Sequence, residues 1–532
     1  MDELRTPIVA QIAAHAQRQP RQTALVLGER RLDYADLLEA IERCAAVLAS
    51  AGLGSGSRIA LFGDNSMIMA VAFLAIARLG ALVAPLPPGL GTAARQRAIR
   101  RASCTAVIAT GAILQEMRNA EDGAVDHTFE LDETALTFHA REGGMGETLG
   151  DLPSAASVDS EAPYILTMTS GSTGDPKPIV FSQATKLRRA FLATRDVYRL
   201  HQGVVVLVST PMHHSLAQRS TLLPLLLGGT AVILPRFTPA SWIDAVQENG
   251  VHFLFAVSSQ LRVLLPDLIA RAGSFPTLRC LVSSSAPLET AAKADLAQAL
   301  DCDLHECYGT SEIGCATDFS VSAHPARCGT VGRALPFVQL RISDKNGAVL
   351  PVGTVGEILV RSVTAFIGYD GDADATAAAH DTEGFFRTGD LGRLDEEGWL
   401  HFKGRCNDII ITGGINVHPS DVEAVVSAVP GVTDCAVVGI PDAYFGEAVL
   451  AVVVSEGEDE RAVLANAQRQ CARELAAYQR PLAWQCLSSL PQTAVGKVDK
   501  PALRKRFQDI DATARFRAML LREQTVTDKE GS

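Results

Sequence analysis

Short apolar runs alternate with helical patterns along most of the chain. Thr23–Leu27 and Ile59–Phe62 have the length and composition of buried strands. Between these runs, Asp33 can cap a helix that Gly52 closes. The apolar positions of this helix are Leu37, Leu38, Ile41, Ala45 and Leu48. Strands alternating with amphipathic helices predict α/β layering.

The same strand signal returns in the middle of the chain, at Val204–Val208, His252–Val257 and Cys280–Val282. Each run has a helical stretch nearby, so the α/β pattern continues. The chain has 532 residues, and 47% of them are hydrophobic. A chain of this length is too long to fold around a single hydrophobic core. We therefore expect an α/β protein whose large N-terminal body contains several subdomains.

The pattern changes after Arg405, where a smaller unit begins. Its predicted strands are Asp434–Val438 and Val449–Val454, followed by a helix near Asp459–Ala477. This texture predicts an α+β C-terminal domain, with the boundary placing residues 1–406 in the body and 407–532 in the small domain. Beyond Lys500 the chain is charged, with apolar residues spaced as in a terminal amphipathic helix. These residues are Leu503, Phe507, Ile510, Phe516, Met519 and Leu520.

Composition narrows the class of protein. The net charge of -12 and a pI near 5.5 argue against nucleic acid as a main partner. The eleven Cys contain no CxxC pair, and the start MDELRTPIVA lacks the pattern of a secretion signal. Apolar runs such as Met67–Ala77 fall short of the roughly 18 residues of a membrane span. We expect a soluble cytoplasmic enzyme without a membrane span, and nothing predicts its oligomeric state.

The stretch TMTSGSTGDPKP, Thr167 to Pro178, admits two interpretations. Gly, Ser and Thr clusters of this kind are often linkers. They also supply the backbone amides and hydroxyls that bind phosphate. The common phosphate loop of kinases and GTPases is excluded, because there the Lys opens a helix, whereas Lys177 lies between two prolines. If this segment binds phosphate, it does so without a helix dipole.

Three later motifs contain charged residues that suit nucleotide chemistry. CYGTSEIG contains Glu312, FFRTGDLG contains Asp390 in a predicted turn, and PQTAVGK ends at Lys497. Arg405 follows Gly404 and has the charge opposite to that of Asp390. Taken alone, each residue is as easily explained as a solvated surface charge. Their order and spacing together are specific.

With these motifs in this order, the sequence resembles the adenylate-forming superfamily of acyl-CoA synthetases, luciferases and peptide-synthetase adenylation domains. The resemblance extends from about residue 10 to 505. The stretch GRCNDIIITGGINVHPSDVE is most similar to that of aryl and acyl CoA ligases such as 4-chlorobenzoate CoA ligase. The resemblance implies ATP, Mg²⁺ and coenzyme A as cofactors, and a small C-terminal domain that rotates about a hinge at Asn407.

Site residues follow from the resemblance, position by position. The loop expected to take the β- and γ-phosphates comprises Thr169, Ser170, Gly171, Ser172, Thr173, Gly174 and Lys177. Further nucleotide contacts are expected at Ser284, Tyr308, Gly309, Thr310, Ser311, Asp390 and Arg405. Glu312 and Thr173 are the predicted Mg²⁺ ligands, and Lys497, His214 and Glu312 the predicted catalytic residues. Gly413 and Gly414 are expected to line a tunnel for the pantetheine of coenzyme A.

The acid itself is only partly predictable. STPMHHSLAQR, Ser209 to Arg219, has no carboxylate to pair with an α-ammonium group, which disfavours amino acids. His213 is predicted to pack rather than react. Ser284 and Ser285 make the predicted pocket floor slightly polar, which suits an aryl or a medium-chain acid.

Three functions remain to be distinguished. The favoured one is a carboxylic acid–CoA ligase that forms AMP. A close variant loads the acyl group onto a carrier protein or an amine. A non-catalytic nucleotide sensor is disfavoured, since Lys497, Glu312 and Asp390 are all present.

Overall fold

The computed structural model describes residues 2–119, 125–142, 152, 154–169, 177–285, 288–412, 415–442, 445–455, 460–493 and 497–512. The chain divides into two compact units. The first comprises Met1–Leu340 and Val360–Phe386, and the second comprises Arg341–Leu359 and Arg387–Ser532.

The strands of the first half of the chain are β1 (Thr23–Leu27), β2 (Arg30–Asp33), β3 (Arg58–Phe62), β4 (Leu82–Leu86), β5 (Ala106–Ala109), β6 (His127–Asp132), β7 (Thr137–Glu142), β8 (Pro163–Thr169), β9 (Lys177–Ser182), β10 (Val205–Val208), β11 (Thr230–Ile233) and β12 (Phe253–Val257). The later strands are β13 (Cys280–Ser284), β14 (Asp303–Thr310), β15 (Gly314–Ser320), β16 (Arg333–Ala334), β17 (Val338–Ser343), β18 (Gly356–Ser362), β19 (Gly368–Tyr369), β20 (Phe386–Leu394), β21 (Leu400–Arg405), β22 (Ile410–Thr412), β23 (Ile415–Val417), β24 (Val432–Asp442), β25 (Gly446–Ser455) and β26 (Ala483–Cys486).

The α-helices are α1 (Ile8–Arg18), α2 (Tyr34–Ser50), α3 (Met67–Arg78), α4 (Thr92–Arg101), α5 (Gly111–Asn119), α6 (Gln183–Ala190), α7 (Ser215–Leu226), α8 (Pro239–Glu248), α9 (Ser258–Ala270), α10 (Thr290–Ala299), α11 (Ala373–Ala378), α12 (Pro419–Ser427), α13 (Glu460–Glu474) and α14 (Lys500–Phe507).

One large sheet of the first unit has the order β16-β15-β14-β13-β12-β10-β11-β1-β2 among the described residues. Its central strands β11, β10, β12, β13 and β14 run parallel, and helices connect successive strands. Because a central parallel strand is covered on both faces, it favours apolar residues, which is why β10 and β12 appear as unbroken apolar runs in the sequence. β14 is an exception, since it contains His305 and Glu306. β14 then turns back as the antiparallel strand β15.

A second sheet of this unit has the order β19-β9-β8-β4-β3-β5-β6-β7 among the described residues. β8 and β9 form an antiparallel pair in which Thr169 lies opposite Lys177. The predicted phosphate loop is therefore the connection of a hairpin, although residues 170–176 lie outside the described residues.

Several local predictions for this unit are confirmed. β1 has the predicted bounds, and β3 begins one residue earlier than expected. The Asp33 side chain accepts a hydrogen bond from the backbone N–H of Asp36 and so caps α2, while Gly52 follows the helix with a φ of +79°. β13 extends two residues beyond its predicted end, as far as Ser284.

The second unit is built on two smaller sheets. Most residues of the sheet β17-β18-β20-β21 belong to it, and a further sheet has the order β23-β22-β25-β24 with β26 beside β25. α12 and α13 cover one face of β24 and β25, and α14 covers the other. β24 and β25 are longer than predicted, because their full length is paired.

Two predictions about the C-terminal part stay open. The predicted boundary after Cys406 lies inside the second unit and is not tested by this division. The terminal helix exists as α14 with Leu503 buried, but residues 513–532 lie outside the described residues. Within the described residues, no helix is long and apolar enough to cross a membrane.

Candidate active site

Lys177 stands at the start of β9, directly after the predicted phosphate loop. Its side chain is exposed, and its ammonium lies 5.2 Å from the centre of the Tyr369 ring. The backbone of Lys177 belongs to β9, and this strand is held in place by pairing with both β8 and β19. Of the other loop residues, Ser170, Gly171, Ser172, Thr173 and Gly174 fall outside the described residues.

The predicted metal ligand Glu312 lies in the tight turn between β14 and β15. This turn requires glycine: a Cβ on Gly309 would stand 1.8 Å from the carbonyl oxygen of Gly314. Within the turn, the hydroxyl of Thr310 accepts a hydrogen bond from the Ile313 N–H at 3.4 Å.

A buried guanidinium holds this turn in place. Arg189, on α6, donates from Nη2 to the carbonyl oxygens of Ser311 and Glu312 at 3.0 and 2.9 Å, and from Nε to that of Thr364 at 2.9 Å. Arg189 is 4% exposed and stacks on Phe181 at 4.4 Å. Two charge-assisted bonds to the turn and a third to Thr364, all from one planar group, give the turn a defined geometry.

Sequence reasoning missed Arg189. Burial and the charge of Arg219 lower the pKa of Arg189 to about 9, while the charge of Glu312 opposes this shift. The sequence does contain one indication, a basic residue on the face of a helix that is expected to be buried. Such a charge needs a buried partner. Its carbonyl partners lie more than a hundred residues away in sequence, so no local pattern points to them.

The carboxylate of Glu312 has no hydrogen bond or ion pair with a side chain among the described residues. Burial, together with this nearby charge, raises the pKa of Tyr369 to about 12. A half-buried carboxylate on a fixed turn provides the oxygen donors that Mg²⁺ prefers. Mg²⁺ usually takes only one or two protein carboxylates alongside phosphate and water, so these residues fit the ion.

His213 and His214 lie side by side at the start of α7, with ring centres 4.2 Å apart. Burial lowers the pKa of His213 to about 4, and burial with the neighbouring His213 lowers the pKa of His214 to about 3. The Nε2 atom of His214 is buried and has no hydrogen-bond partner among the described residues. Both rings are therefore neutral at pH 7, and His214 presents an unsatisfied polar atom.

The predicted pocket residues at the strand ends lie on two faces of the large sheet. Ser283 pairs with Glu306 in the parallel register of β13 and β14. Because side chains alternate along a strand, Ser284 and Tyr308 point to opposite faces. Ser285 adopts a φ of +78°, a left-handed conformation that is costly for a residue with a side chain.

In the second unit, Asp390 and Arg405 are register partners on β20 and β21. The Nε of Arg405 lies 3.5 Å from Oδ1 of Asp390, and Asp390 is buried while Arg405 is exposed. The prediction that Asp390 lies in a turn is wrong, because it sits inside β20. Gly389, with a φ of +69°, suggested a turn in the sequence but is accommodated within the strand.

Lys497 is joined to Thr493 by two hydrogen bonds in the second unit. The Thr493 N–H donates to the carbonyl oxygen of Lys497 at 2.7 Å, and the Lys497 N–H donates to the Thr493 hydroxyl at 3.2 Å. α14 starts directly afterwards, capped by Asp499. Gly413 and Gly414 lie outside the described residues.

Residues 12–370 match the family of AMP-binding enzymes, and residues 421–497 match the C-terminal domain of AMP-binding enzymes. The chain belongs to the AMP-binding enzyme family. The resemblance to the adenylate-forming superfamily, and the predicted large α/β body with a small C-terminal domain, are thereby confirmed.

Two relatives illustrate the similarity. Indoleacetate–CoA ligase from Aromatoleum aromaticum is 30% identical over 500 residues, covering 93% of this chain and 97% of that protein. A 4-chlorobenzoate–CoA ligase from an Arthrobacter species is 31% identical over 500 residues, covering 93% of this chain and 94% of that protein.

The fold also matches solved structures. The crystal structure of ATP-bound MatB from Rhodopseudomonas palustris superposes with a TM-score of 0.83 at 28% sequence identity. The match covers 94% of this chain and 99% of that one.

Proposed function

We propose that this chain is an AMP-forming carboxylic acid–CoA ligase. In the first half-reaction, the carboxylate of the acid attacks the α-phosphorus of ATP, which gives acyl-AMP and pyrophosphate. In the second, the thiol of coenzyme A attacks the acyl carbonyl, so that AMP leaves and the thiol proton is released. The CoA-ligase names of the two relatives support this reaction over other chemistry in the family.

The observation that carries the proposal is the Glu312 turn. Among the described residues no side chain hydrogen-bonds to its carboxylate or forms an ion pair with it, yet buried Arg189 donates hydrogen bonds to the carbonyl oxygens of Ser311 and Glu312 in its backbone. The same guanidinium also donates to the carbonyl oxygen of Thr364. Such a costly arrangement suits a group that must meet a cation at a defined position. Mg²⁺ bound there would screen the charge of the phosphates and stabilise charge that develops on the transferring phosphoryl group.

The remaining residues take roles that match their chemistry. Neutral His214 can donate or accept one hydrogen bond through its unpartnered Nε2 and orient the reacting carboxylate. Asp390 is proposed to accept hydrogen bonds from the ribose hydroxyls, with Arg405 next to it for ribose or phosphate. Lys497 is proposed to offset the repulsion between the carboxylate and the phosphate, which are both anions.

The test of the proposal is acid-dependent exchange between pyrophosphate and ATP, measured over aryl, alicyclic and fatty acids. Each active acid is then assayed for product with coenzyme A, with a phosphopantetheinylated acyl carrier protein and with a primary amine. Exchange followed by thioester formation with coenzyme A is the expected result. If exchange occurs without a CoA thioester but with a loaded carrier protein or an amide, the acyl acceptor is the carrier protein or the amine instead of coenzyme A. No exchange with any acid would refute ligase function.

Lys497→Ala separates the two half-reactions. We expect acyl-AMP formation to fall by orders of magnitude, because the ammonium is needed only where the two anions meet. Thioester formation from supplied acyl-AMP should be retained. Lys500→Ala is a matched control from the same segment, and equal loss of both half-reactions in Lys497→Ala would contradict the assigned role.

A further inference from the structure

Within the described part of the first unit, one half-buried guanidinium has a buried nitrogen without a hydrogen-bond partner. The Nη1 atom of Arg219, on α7, is buried and makes no hydrogen bond, and Arg219 forms no ion pair among the described residues. Its guanidinium carbon lies 4.3 Å from the centre of the Phe255 ring. A ring face is a weak substitute for an acceptor, and an unsatisfied buried donor is costly.

Strand register shows which face of the large sheet Arg219 covers. Phe255 pairs with Val282, and Val257 pairs with Ser284, so Phe255 and Ser284 share one face. Because Arg219 stacks on Phe255, its guanidinium lies over the face that carries Ser284. Ser284 is one of the residues assigned to the pocket of the acid.

The carboxylate nearest in register on that face is already in use. Asp318 pairs with Cys307 across β14 and β15. Its Oδ1 accepts from the hydroxyl of Tyr198 at 2.9 Å, and its Oδ2 lies 2.7 Å from Nδ1 of His305. Asp318 therefore satisfies a separate network, and the charge of Arg219 stays uncompensated.

The charge of Arg219 also acts on a neighbouring basic group, Lys186. Lys186 is 4% exposed and donates to Oε1 of Gln218 at 2.8 Å. Burial, with the charges of Arg189 and Arg219, lowers the pKa of Lys186 well below its usual value. This effect on Lys186 shows that the charge of Arg219 acts on its surroundings, so a ligand oxygen placed next to Arg219 would be favoured by charge as well as by hydrogen bonding.

Position along α7 relates Arg219 to the reacting end of the acid. Arg219 follows His214, the N-cap residue of α7, by five residues, which is an axial rise of about 7.5 Å with a rotation of about 140° around the helix. That separation is comparable to the span of an aromatic ring or a medium alkyl chain. We propose that Arg219 selects an acid carrying an oxygen acceptor at the end remote from the reacting carboxylate. This inference rests on the proposed ligase function and names the substrate class of that site.

The acceptor has two possible sources, a neutral oxygen or a second carboxylate. A site built to bond a polar group discriminates strongly against an analogue that lacks the group, because its own donor is then left unpaired. We therefore expect the native enzyme to favour the oxygen-bearing member of a matched pair by at least roughly ten-fold in kcat/KM.

The experiment uses two matched series in pyrophosphate exchange: benzoate, 4-hydroxybenzoate and terephthalate, and hexanoate, 6-hydroxyhexanoate and adipate. The readout is the ratio of kcat/KM between the oxygen-bearing and the unsubstituted acid within one enzyme preparation. This ratio does not depend on the fraction of active protein. Arg219→Met keeps much of the length and apolar contact of the side chain but removes its donors, and should lower the ratio at least roughly ten-fold.

Two further variants sharpen the result. Arg219→Gln keeps a neutral hydrogen-bond donor. If this variant recovers part of the ratio for the hydroxy acid relative to Arg219→Met, the acceptor is a neutral oxygen. If the ratio is lost for the diacid alone, the acceptor is a carboxylate. Arg262→Met, at an exposed arginine on α9, should leave the ratio unchanged. A ratio near one in the native enzyme, or one that Arg219→Met does not alter, would overturn the inference while leaving ligase function intact. Absence of exchange with every acid would overturn the proposed function itself.

Discussion

Two cations of the first unit, buried Lys293 and half-buried Arg219, lie over opposite faces of the same sheet and differ in their partners. Lys293, on α10, forms an ion pair with Glu306 and donates to the carbonyl oxygen of Cys328 at 2.6 Å. Glu306 in turn accepts from the Leu288 N–H at 3.0 Å. Arg219, over the other face, has no anionic partner among the described residues.

The difference distinguishes structural charge from functional charge. A buried charge that is fully paired serves the fold, and its removal exposes a desolvated partner. A buried or half-buried charge without a partner does not stabilise the fold, because its desolvation is not offset by an ion pair. Such a charge is expected where a bound ligand supplies the partner. Glu312 and Arg219 form the group of charges without an ionic partner among the described residues. Lys293 and His305 form the group of charges that are paired within the protein. Substitutions at these positions should separate stability from activity.

The largest expected effect is on stability, at Lys293. Lys293→Met leaves Glu306 buried and unpaired, and should lower the free energy of unfolding of the first unit by about 3–5 kcal/mol. Urea unfolding measures the change. The double variant Lys293→Met with Glu306→Gln should recover most of the loss, because no charge is then left alone. Failure of the double variant to recover would show that packing, rather than the charge, dominates.

Glu312 should show the opposite profile. Glu312→Ala should reduce acyl-AMP formation by a factor of about a hundred or more, since loss of a preorganised charge partner costs about 3 kcal/mol in the barrier. The melting temperature should change little, as no described side chain forms a hydrogen bond or an ion pair with the carboxylate. Glu39→Ala, at an exposed acid on α2, serves as the control. Near-normal pyrophosphate release in Glu312→Ala would refute the metal-binding role.

The contribution of a paired charge to stability can be tested at His305 by varying the pH. Burial lowers its pKa, but hydrogen bonds and charges from Asp318 and Asp303 outweigh this and raise it to about 8. The raised pKa stabilises the fold fully below pH 6.5, and the gain is lost as pH rises through 8. It amounts to at most about 2 kcal/mol. The melting temperature of the native protein should therefore fall between pH 6.5 and 9 more steeply than that of His305→Asn. His201→Asn, at an exposed histidine, should keep the native slope.

Arg189 connects the two groups and should give the smallest effect. Arg189→Lys keeps the charge but cannot donate to three separated carbonyl oxygens in one plane. We expect roughly a ten-fold higher Mg²⁺ concentration for half-maximal exchange, equivalent to about 1.4 kcal/mol. Excess Mg²⁺ should restore most of the rate. Arg188→Lys, its exposed neighbour paired with Glu161, should leave the Mg²⁺ requirement unchanged. A loss that Mg²⁺ cannot restore would mean that Arg189 acts on the fold alone.

The sequence was sufficient where structure is local. Unbroken apolar runs predicted β1, β3 and β12, since buried parallel strands need such runs. The Asp33 cap and Gly52 predicted α2 because both act on the adjacent backbone. The motifs also identified the family, which their order along the chain makes specific.

The rest depends on contacts that no local pattern contains. Arg189 meets Ser311 and Thr364 across 122 and 175 positions. The face that Arg219 covers follows from strand register, which requires the pairing of β12 with β13. Asp390 was misplaced because Gly389 resembles a turn residue when the strand around it is unknown. In each case the missing quantity was which distant elements pair.

Gly314 makes the Glu312 turn sensitive to substitution at a position outside the predicted ligand contacts. It adopts a φ of +78°, and a Cβ there would lie 3.2 Å from Nε of Arg189. Any other residue would strain the backbone and press on the guanidinium that holds Ser311 and Glu312. In a genetic screen, alleles at codon 314 should therefore phenocopy alleles at codon 189, and growth defects of both should be suppressed together by magnesium supplementation.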